Sequence, residues 1–225
     1  TNTHIHIHTT HSTYTSIYYS THPINMASFT NLKQQLQKQR PQVNLSAFSY
    51  VFRELVHYYH GRVSRIGDLQ DKLQEAGEQV GHRMLEFIAY RQRPGLSPWW
   101  QSQESTRGIV GMLSFIKDIC WKSMFGKVAD NLQKSVERDS EYMIHDNDPI
   151  VNKYISVPSE MGSLDCASFM AGIIKGILDS AGFGAEVRAV PVEIEDGSKR
   201  CRTVFVINFD QKAMELDKFI SIKNS

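Results

Sequence analysis

The sequence predicts an α+β domain in which helices pack on an antiparallel sheet. Apolar residues recur with helical spacing over most of the stretch between Asn44 and Trp121. Short strand-like runs come in two neighbouring pairs, 132–136 with 142–145 and 185–192 with 202–209. A helix faced with small residues lies between the pairs. Strands grouped as hairpins pair antiparallel, whereas a doubly wound fold would alternate strand and helix.

The first helix opens at Asn44 and sets Phe48, Val51, Phe52, Leu55, Val56 and Tyr59 at i, i+3, i+4 spacing, with Arg53, Glu54 and His57 between them. Gly61 ends it. A second stripe runs through Ile66, Leu69, Leu73, Ala76, Val80, Met84 and Ile88, with Gly77 and Gly81 four apart on the neighbouring face. Each glycine forfeits about 1 kcal/mol of helix propensity relative to Ala. Close approach of another helix backbone is the expected return, and Gly77 is also a candidate break between two helices. Pro94 and Gly95 stop the stretch. Residues 94–106 form a loop carrying Trp99 and Trp100, adjacent rings that serve either as a partner contact or as a lid on the core. A third helix starts at Ser105 or Thr106. Ile109, Val110, Met112, Leu113, Phe115, Ile116, Ile119, Cys120 and Trp121 make it apolar nearly all round, so it is covered on both sides, by its own domain or by a neighbouring subunit.

After Gly126 the pattern changes to a hairpin, with residues 137–140 as its turn. Asn147, Asp148 and Pro149 mark a turn into a short helical piece ending near Tyr154, and residues 155–158 are extended up to Pro158. Ser163 is the expected cap of the next helix, in which Ser168, Gly172, Gly176 and Ser180 repeat at i+4 beside Ala167 and Ala171. One face is therefore almost without side chains, and it fits against a sheet or another helix. Gly182 supplies the left-handed residue after it. The second strand pair follows, joined through Asp196-Gly197, and Asp210 caps a last helix containing Met214 and Leu216.

Composition narrows the function. Residues 1–25 hold seven Thr, five of the nine His and no charged side chain, so the 25 Lys+Arg and 24 Asp+Glu all lie beyond them. We expect 1–25 to be a disordered low-complexity leader or tail, with Met26-Ala27 reading as a start, 26–42 to be an N-terminal extension and 43–220 to be the folded domain. Alternate His4, His6 and His8 would project from one side of a strand, but they belong to this segment, and no metal site is expected. A net charge of +1 without a Lys/Arg block argues against a nucleic-acid binder. Cys120, Cys166 and Cys201 include no CxxC pair, which fits a reducing compartment. The most apolar stretch, 164–183, is broken by Asp165, Lys175 and Asp179 and does not read as a membrane span. The N-terminus lacks the features of a signal peptide.

Catalytic templates find no match. Gly172-x-x-x-Gly176 lies inside a helix, where the amides are already committed, so it is not a phosphate loop. Ser114 has no nucleophile elbow around it. Cys166 near a helix start has the position of a nucleophile, but no histidine spacing proposes its base, and a small buried thiol is the simpler reading. His145-Asp146-Asn147-Asp148 lacks the Gly and the distal Glu of a calcium loop and reads as turn chemistry. Arg83 and Glu86 form either a partly buried pair or a surface contact. No enzyme and no cofactor is expected; the residues describe an assembly subunit.

Four segments carry a resemblance: GHRMLEFIAYR (81–91), WKSMFGKVAD (121–130), EYMIHDNDPIVNKYISVP (141–158) and MGSLDCASFMAGIIKGILDSAGF (161–183). They resemble the Bet-type small subunits of the transport protein particle, TRAPP, and within them the subunit-five branch, over about residues 43–209. The resemblance implies helices on one antiparallel four-stranded sheet. It also implies a cytoplasmic core subunit, peripheral at the cis-Golgi and endoplasmic reticulum, of a complex that tethers vesicles between those compartments and promotes nucleotide exchange on a Rab-type GTPase. The implied neighbours are an acylated Bet-type paralogue and a sedlin-type subunit. That paralogue carries its acyl chain on a cysteine shortly after the G-x-R-x-x-E helix. Residues 92–107 here contain none, so acylation there is not expected. Asp165 stands where this branch has Asn, a change that bears on capping. We expect helix-mediated subunit contacts through Gly81, Met84, Leu85, Ile88, Ile109, Met112, Leu113 and Ile116, with Trp99 and Trp100 on the loop, and Asp at Ile109 and Leu113 to break assembly. The alternative is a small-molecule-binding domain of the same fold, with an apolar cleft.

Overall fold

The computed structural model describes residues 43–92, 108–153, 155, 164–193 and 201–223. In chain order these form α1 (Leu45–His60), α2 (Ile66–Gln92), α3 (Gly108–Phe115), a π-helical turn (Ile116–Cys120), α4 (Trp121–Phe125), β1 (Asn131–Lys134), β2 (Glu141–Asp146), α5 (Ser168–Ser180), β3 (Ala185–Glu193), β4 (Cys201–Phe209) and α6 (Gln211–Lys223). The strands make one antiparallel four-stranded sheet in the order β1-β2-β4-β3, as expected for an α+β domain. The last strand in sequence is thus central, and β3 is an edge.

α1 starts where the Asn44 side chain accepts a hydrogen bond from the Ser46 amide at 2.9 Å, satisfying one donor that a helix start leaves free. Its inward anchor is Phe52, buried against Phe48 and Phe169 at ring distances of 5.8 and 5.2 Å. Gly61 ends it in a right-handed conformation, with φ −68°.

α2 is one helix of 27 residues, and Gly77 does not divide it. The reason is its contact with α5. A Cβ on Gly77 would stand 2.0 Å from the Phe169 carbonyl oxygen, and one on Gly81 2.3 Å from that of Ile173. Reciprocally, a Cβ on Gly172 would meet the Gln74 carbonyl oxygen at 2.0 Å, and one on Gly176 that of Glu78 at 2.2 Å. Two glycines from each helix let the backbones touch, and a kink at Gly77 would separate them. Across the same crossing Lys175 donates to Glu78 at 3.0 Å, and His82 Nδ1 lies 2.7 Å from Ser180 Oγ.

α5 is buried from Ser168 to Ile174 and again from Gly176 to Leu178, held between α2 and the sheet. Ser163, the expected cap, lies outside the described residues; ahead of the helix the Asp165 carboxylate accepts from the Ala167 amide at 2.9 Å. Gly182 has φ +86°, as expected for the residue after the helix, and the Phe183 amide donates back to Leu178 at 2.9 Å. Asp210 accepts from the Ala213 amide at 2.7 Å and so starts α6.

Along the sheet, Tyr142, Ile144 and Asp146 of β2 and Phe205, Ile207 and Phe209 of β4 turn to the core. β1 stops at Lys134, short of the expected 136: the ladder ends where the Ser135 amide donates to Glu141 at 2.9 Å, the Glu141 amide donates to Arg138 at 3.2 Å in the turn, and Val136 is exposed. The expected helical piece after Pro149 is instead a pair of turns, closed by Asn152 to Pro149 and Lys153 to Ile150. Asp196-Gly197 lies outside the described residues.

The third helix is not regular. Residues 105–107 lie outside the described residues. α3 begins at Gly108, with φ +84°, where the Ile109 amide donates to Asp217 of α6 at 2.7 Å. The π turn then interrupts it, and the Lys117 carbonyl also accepts the Ala129 amide at 3.2 Å.

Gly172→Ala should lower the melting temperature sharply, by about 2 kcal/mol or more, since its Cβ would strike backbone. Gly67→Ala, with nothing within 4 Å, should leave it unchanged or raise it. Thermal unfolding of the two variants beside the parent chain checks both; equal melting temperatures would remove the backbone contact as the cause.

Candidate assembly surface

Helical periodicity identifies the apolar face of a helix but not what covers it. In α2 and α3 the cover is the chain itself. Gly81, Leu85, Ile88, Ile109, Met112, Leu113 and Ile116 are all buried in the domain's own core, so their side chains offer no surface to a partner. Met84 is half-buried, and Trp99 and Trp100 lie outside the described residues. Of the two readings of the apolar third helix, its own domain supplies most of the cover, and the exception is Val110, 56% exposed.

What remains outside is a set of neighbours of those residues. On α2, Val80 (38% exposed) and Phe87 (48%) flank Met84 at i, i+4, i+7 spacing, which makes an apolar line parallel to the buried one. On α1, Val51 (72% exposed) and Tyr58, seven apart, share a face turned away from Phe52. The Arg62 guanidinium lies 3.5 Å from the centre of the Tyr58 ring and donates to the Tyr58 carbonyl at 2.9 Å, so this ring is held in place. The signal was in the sequence: Tyr50, Val51 and Tyr58 widen the apolar arc of α1 beyond what one packing contact covers. Arg83 and Glu86 are both exposed on α2, and no ion pair joins them.

The acidic turn has a larger role than turn chemistry. Asp146 is fully buried, and its carboxylate accepts from the Trp121 indole at 3.1 Å, from Lys127 Nζ and from the Asp148 amide at 3.0 Å. Lys127 also donates to the Asp148 carbonyl at 2.7 Å. This network ties α4, the end of β2 and the turn after it into one unit. Nothing in the HDND pattern gave its side-chain partners, because Lys127 and Trp121 lie 19 and 25 residues upstream.

The remaining reactive groups are quiet. Burial pushes the Cys166 thiol up to about 12, with Asp165 adding to it, and burial raises that of Cys120 further. Neither is a nucleophile near neutral pH. Burial, then the charge of Arg202, holds the His145 imidazole below its ordinary value, while Asp130 opposes them. Among the described residues no group of metal-ligating side chains occurs, and no helix is long and apolar enough to cross a membrane.

The family model described as transport protein particle (TRAPP) component matches residues 48–210. The chain is 40% identical over 193 residues to trafficking protein particle complex subunit 5 of Dictyostelium discoideum, covering 86% of this chain and 96% of that protein. It is 38% identical over 158 residues to the human subunit 5, covering 70% and 80%. To subunit 31 of Saccharomyces cerevisiae it is 28% identical, with 81% of each covered. Among solved structures it is similar to trafficking protein particle complex subunit 3 from Naegleria fowleri, covalently bound to palmitic acid. The TM-score is 0.61 at 16% identity, covering 75% of this chain and 96% of that one, a likeness of fold.

Asp146→Ala should cost about 3 kcal/mol in urea unfolding, because it leaves the buried Trp121 N–H without its acceptor and the Lys127 ammonium without its carboxylate. An unchanged unfolding midpoint would show the network to be idle. His145 gives a pH signature. Its folded pKa is depressed, so the unfolded chain binds the extra proton. The stability it contributes is complete above the ordinary value of 6.5 and is lost as pH falls from there through the folded pKa. Unfolding measured across that window should flatten in His145→Gln relative to the parent chain.

Proposed function

Since the chain belongs to the TRAPP component family, we propose that it is a core assembly subunit of the TRAPP vesicle-tethering complex. In this reading it serves transport between endoplasmic reticulum and Golgi, and supports nucleotide exchange on a Rab-type GTPase through the assembled complex. The observation that carries it is the near full-length similarity to subunit 5, combined with apolar side chains left exposed on α1 and α2. An exposed apolar line on an otherwise well-filled domain is what a subunit contact needs.

The partner contact then runs through Val51 and Tyr58 of α1 and Val80, Met84 and Phe87 of α2. Its neighbours are an acylated Bet-type paralogue on one side and a sedlin-type subunit on the other, and its site of action is cytoplasmic, at the cis-Golgi and endoplasmic reticulum membranes. The chain acts there as a structural arm without chemistry of its own. The raised thiols of Cys120 and Cys166 favour a paralogue, rather than these positions, as the carrier of any acyl chain. A ligand-binding role would need an apolar cleft. A cavity of about 520 Å³ between α2 and β3 is instead walled mainly by polar and charged side chains.

Val51→Asp combined with Val80→Asp should leave the chain folded, with a melting temperature within a few degrees of the parent, and should abolish co-purification with the other TRAPP subunits. Ile109→Asp with Leu113→Asp should unfold it, because both positions are core. Intact assembly of the folded surface variant would remove α1 and α2 as the contact.

A further inference from the structure

β3 is a nine-residue edge strand, and among the described residues no strand pairs with its outer side. Two features fix which of its backbone groups face outward. The Val187 carbonyl accepts from Gln74 of α2 at 3.2 Å, so it points away from β4. In an antiparallel ladder residues two apart share that direction, which places the backbone groups of Ala189 and Pro191 outward as well. Pro191 agrees, since a residue without an N–H is tolerated where no ladder bond is required. The Val187 and Ala189 amides and the Ala189 and Pro191 carbonyls therefore face outward, and none of them bonds to another described residue.

Those of Val187 and Ala189 border a groove of about 520 Å³. Its far wall is α2, whose Gln70, Asp71, Gln74, Glu75 and Glu78 follow helical spacing along it, with Ser168 of α5 at its floor. Glu75 is paired with Lys72 and Glu78 with Lys175, and Glu186 with Arg188 on the strand side. Asp71 is the lining carboxylate without an ion pair among the described residues. A long edge that carries open hydrogen-bonding groups is a template for another strand. Here one Pro and one Gln interrupt it at its ends and leave the centre open.

We infer that this groove takes an extended segment of a protein partner, added to β3 as a fifth strand, with a Lys or Arg side chain directed at Asp71. The outward backbone groups between Val187 and Pro191 span about 13 Å, the length of a short strand. Backbone bonds to Ala189 give the affinity, and the carboxylate selects charge. The inference rests on the assembly reading only for the source of the strand, a neighbouring subunit.

Hydrogen exchange of the full chain tests it with two acetylated, amidated probes, Lys-Val-Lys-Val-Lys and Glu-Val-Glu-Val-Glu. The basic peptide should slow exchange of the Val187 and Ala189 amides by about tenfold near saturation, and the acidic one should not. Asp71→Lys should weaken the basic peptide by about tenfold. Ala189→Pro, which removes only an outward N–H, should abolish its binding. No slowing by the basic peptide, or equal binding by Asp71→Lys, overturns the inference. So does protection that grows with the concentration of the chain alone, which would assign the edge to a second copy. In the reconstituted complex the same amides should be protected. A complex that forms while they exchange as in the free chain overturns the inference and leaves the assembly reading standing. A chain that joins no subunit overturns the assembly reading alone, because the peptide titration reads the edge directly.

Discussion

The contact between α2 and α5 sets the distance on which the other packing in this domain depends. With Gly77 and Gly81 against Gly172 and Gly176, the helix backbones approach until carbonyl oxygens occupy the places where Cβ atoms would stand. At that separation α5 can be buried between α2 and the sheet while each layer still fills its share of the core. Larger residues at these four positions would thicken the sandwich, and Gln74 would no longer reach the Val187 carbonyl on β3. The propensity given up by four helical glycines is recovered in dispersion contacts along the crossing.

A second constraint works at the opposite end of the sheet. Trp121 must be buried, and a buried indole requires an acceptor. Asp146 supplies it, and that carboxylate in turn requires a cation, which Lys127 provides. The ring packs edge-on against Phe205 at 5.5 Å, so the polar network and the apolar core share one side chain. The π turn sits immediately before this tryptophan, where the extra residue per turn changes the direction in which α4 presents its side chains.

The glycine repeat was legible as a site of close backbone approach, although the residues left open whether a sheet or another helix would meet it and whether Gly77 would break the helix. The caps at Asn44 and Asp210, the turn at Gly182 and both hairpins were legible because each is a local requirement met by a local residue. The π turn was not, since IKDIC carries no composition that separates it from an α-helical turn. The assembly surface was misjudged on Ile109, Met112 and Leu113, because periodicity marks an apolar face without saying what lies opposite. Part of their cover is α6, which is remote from them in sequence. Val51 and Tyr58 were visible as apolar positions of the first helix, yet only the fold separates them from Phe52.

The sheet order has a consequence for how the chain is made. β4 is the strand that joins β2 to β3, and it is the last of the four to leave the ribosome. Until it emerges, β2 has only the short β1 beside it and β3 has no partner, while α5, whose glycine face already has α2 to meet, lacks the completed sheet on its other side. The Ile109 amide at the start of α3 waits longer still, for Asp217 of α6. Contacts so distant in sequence form late and slowly. The nascent domain therefore spends most of its synthesis with its sheet open, and the step that closes it belongs to the final part of the polypeptide.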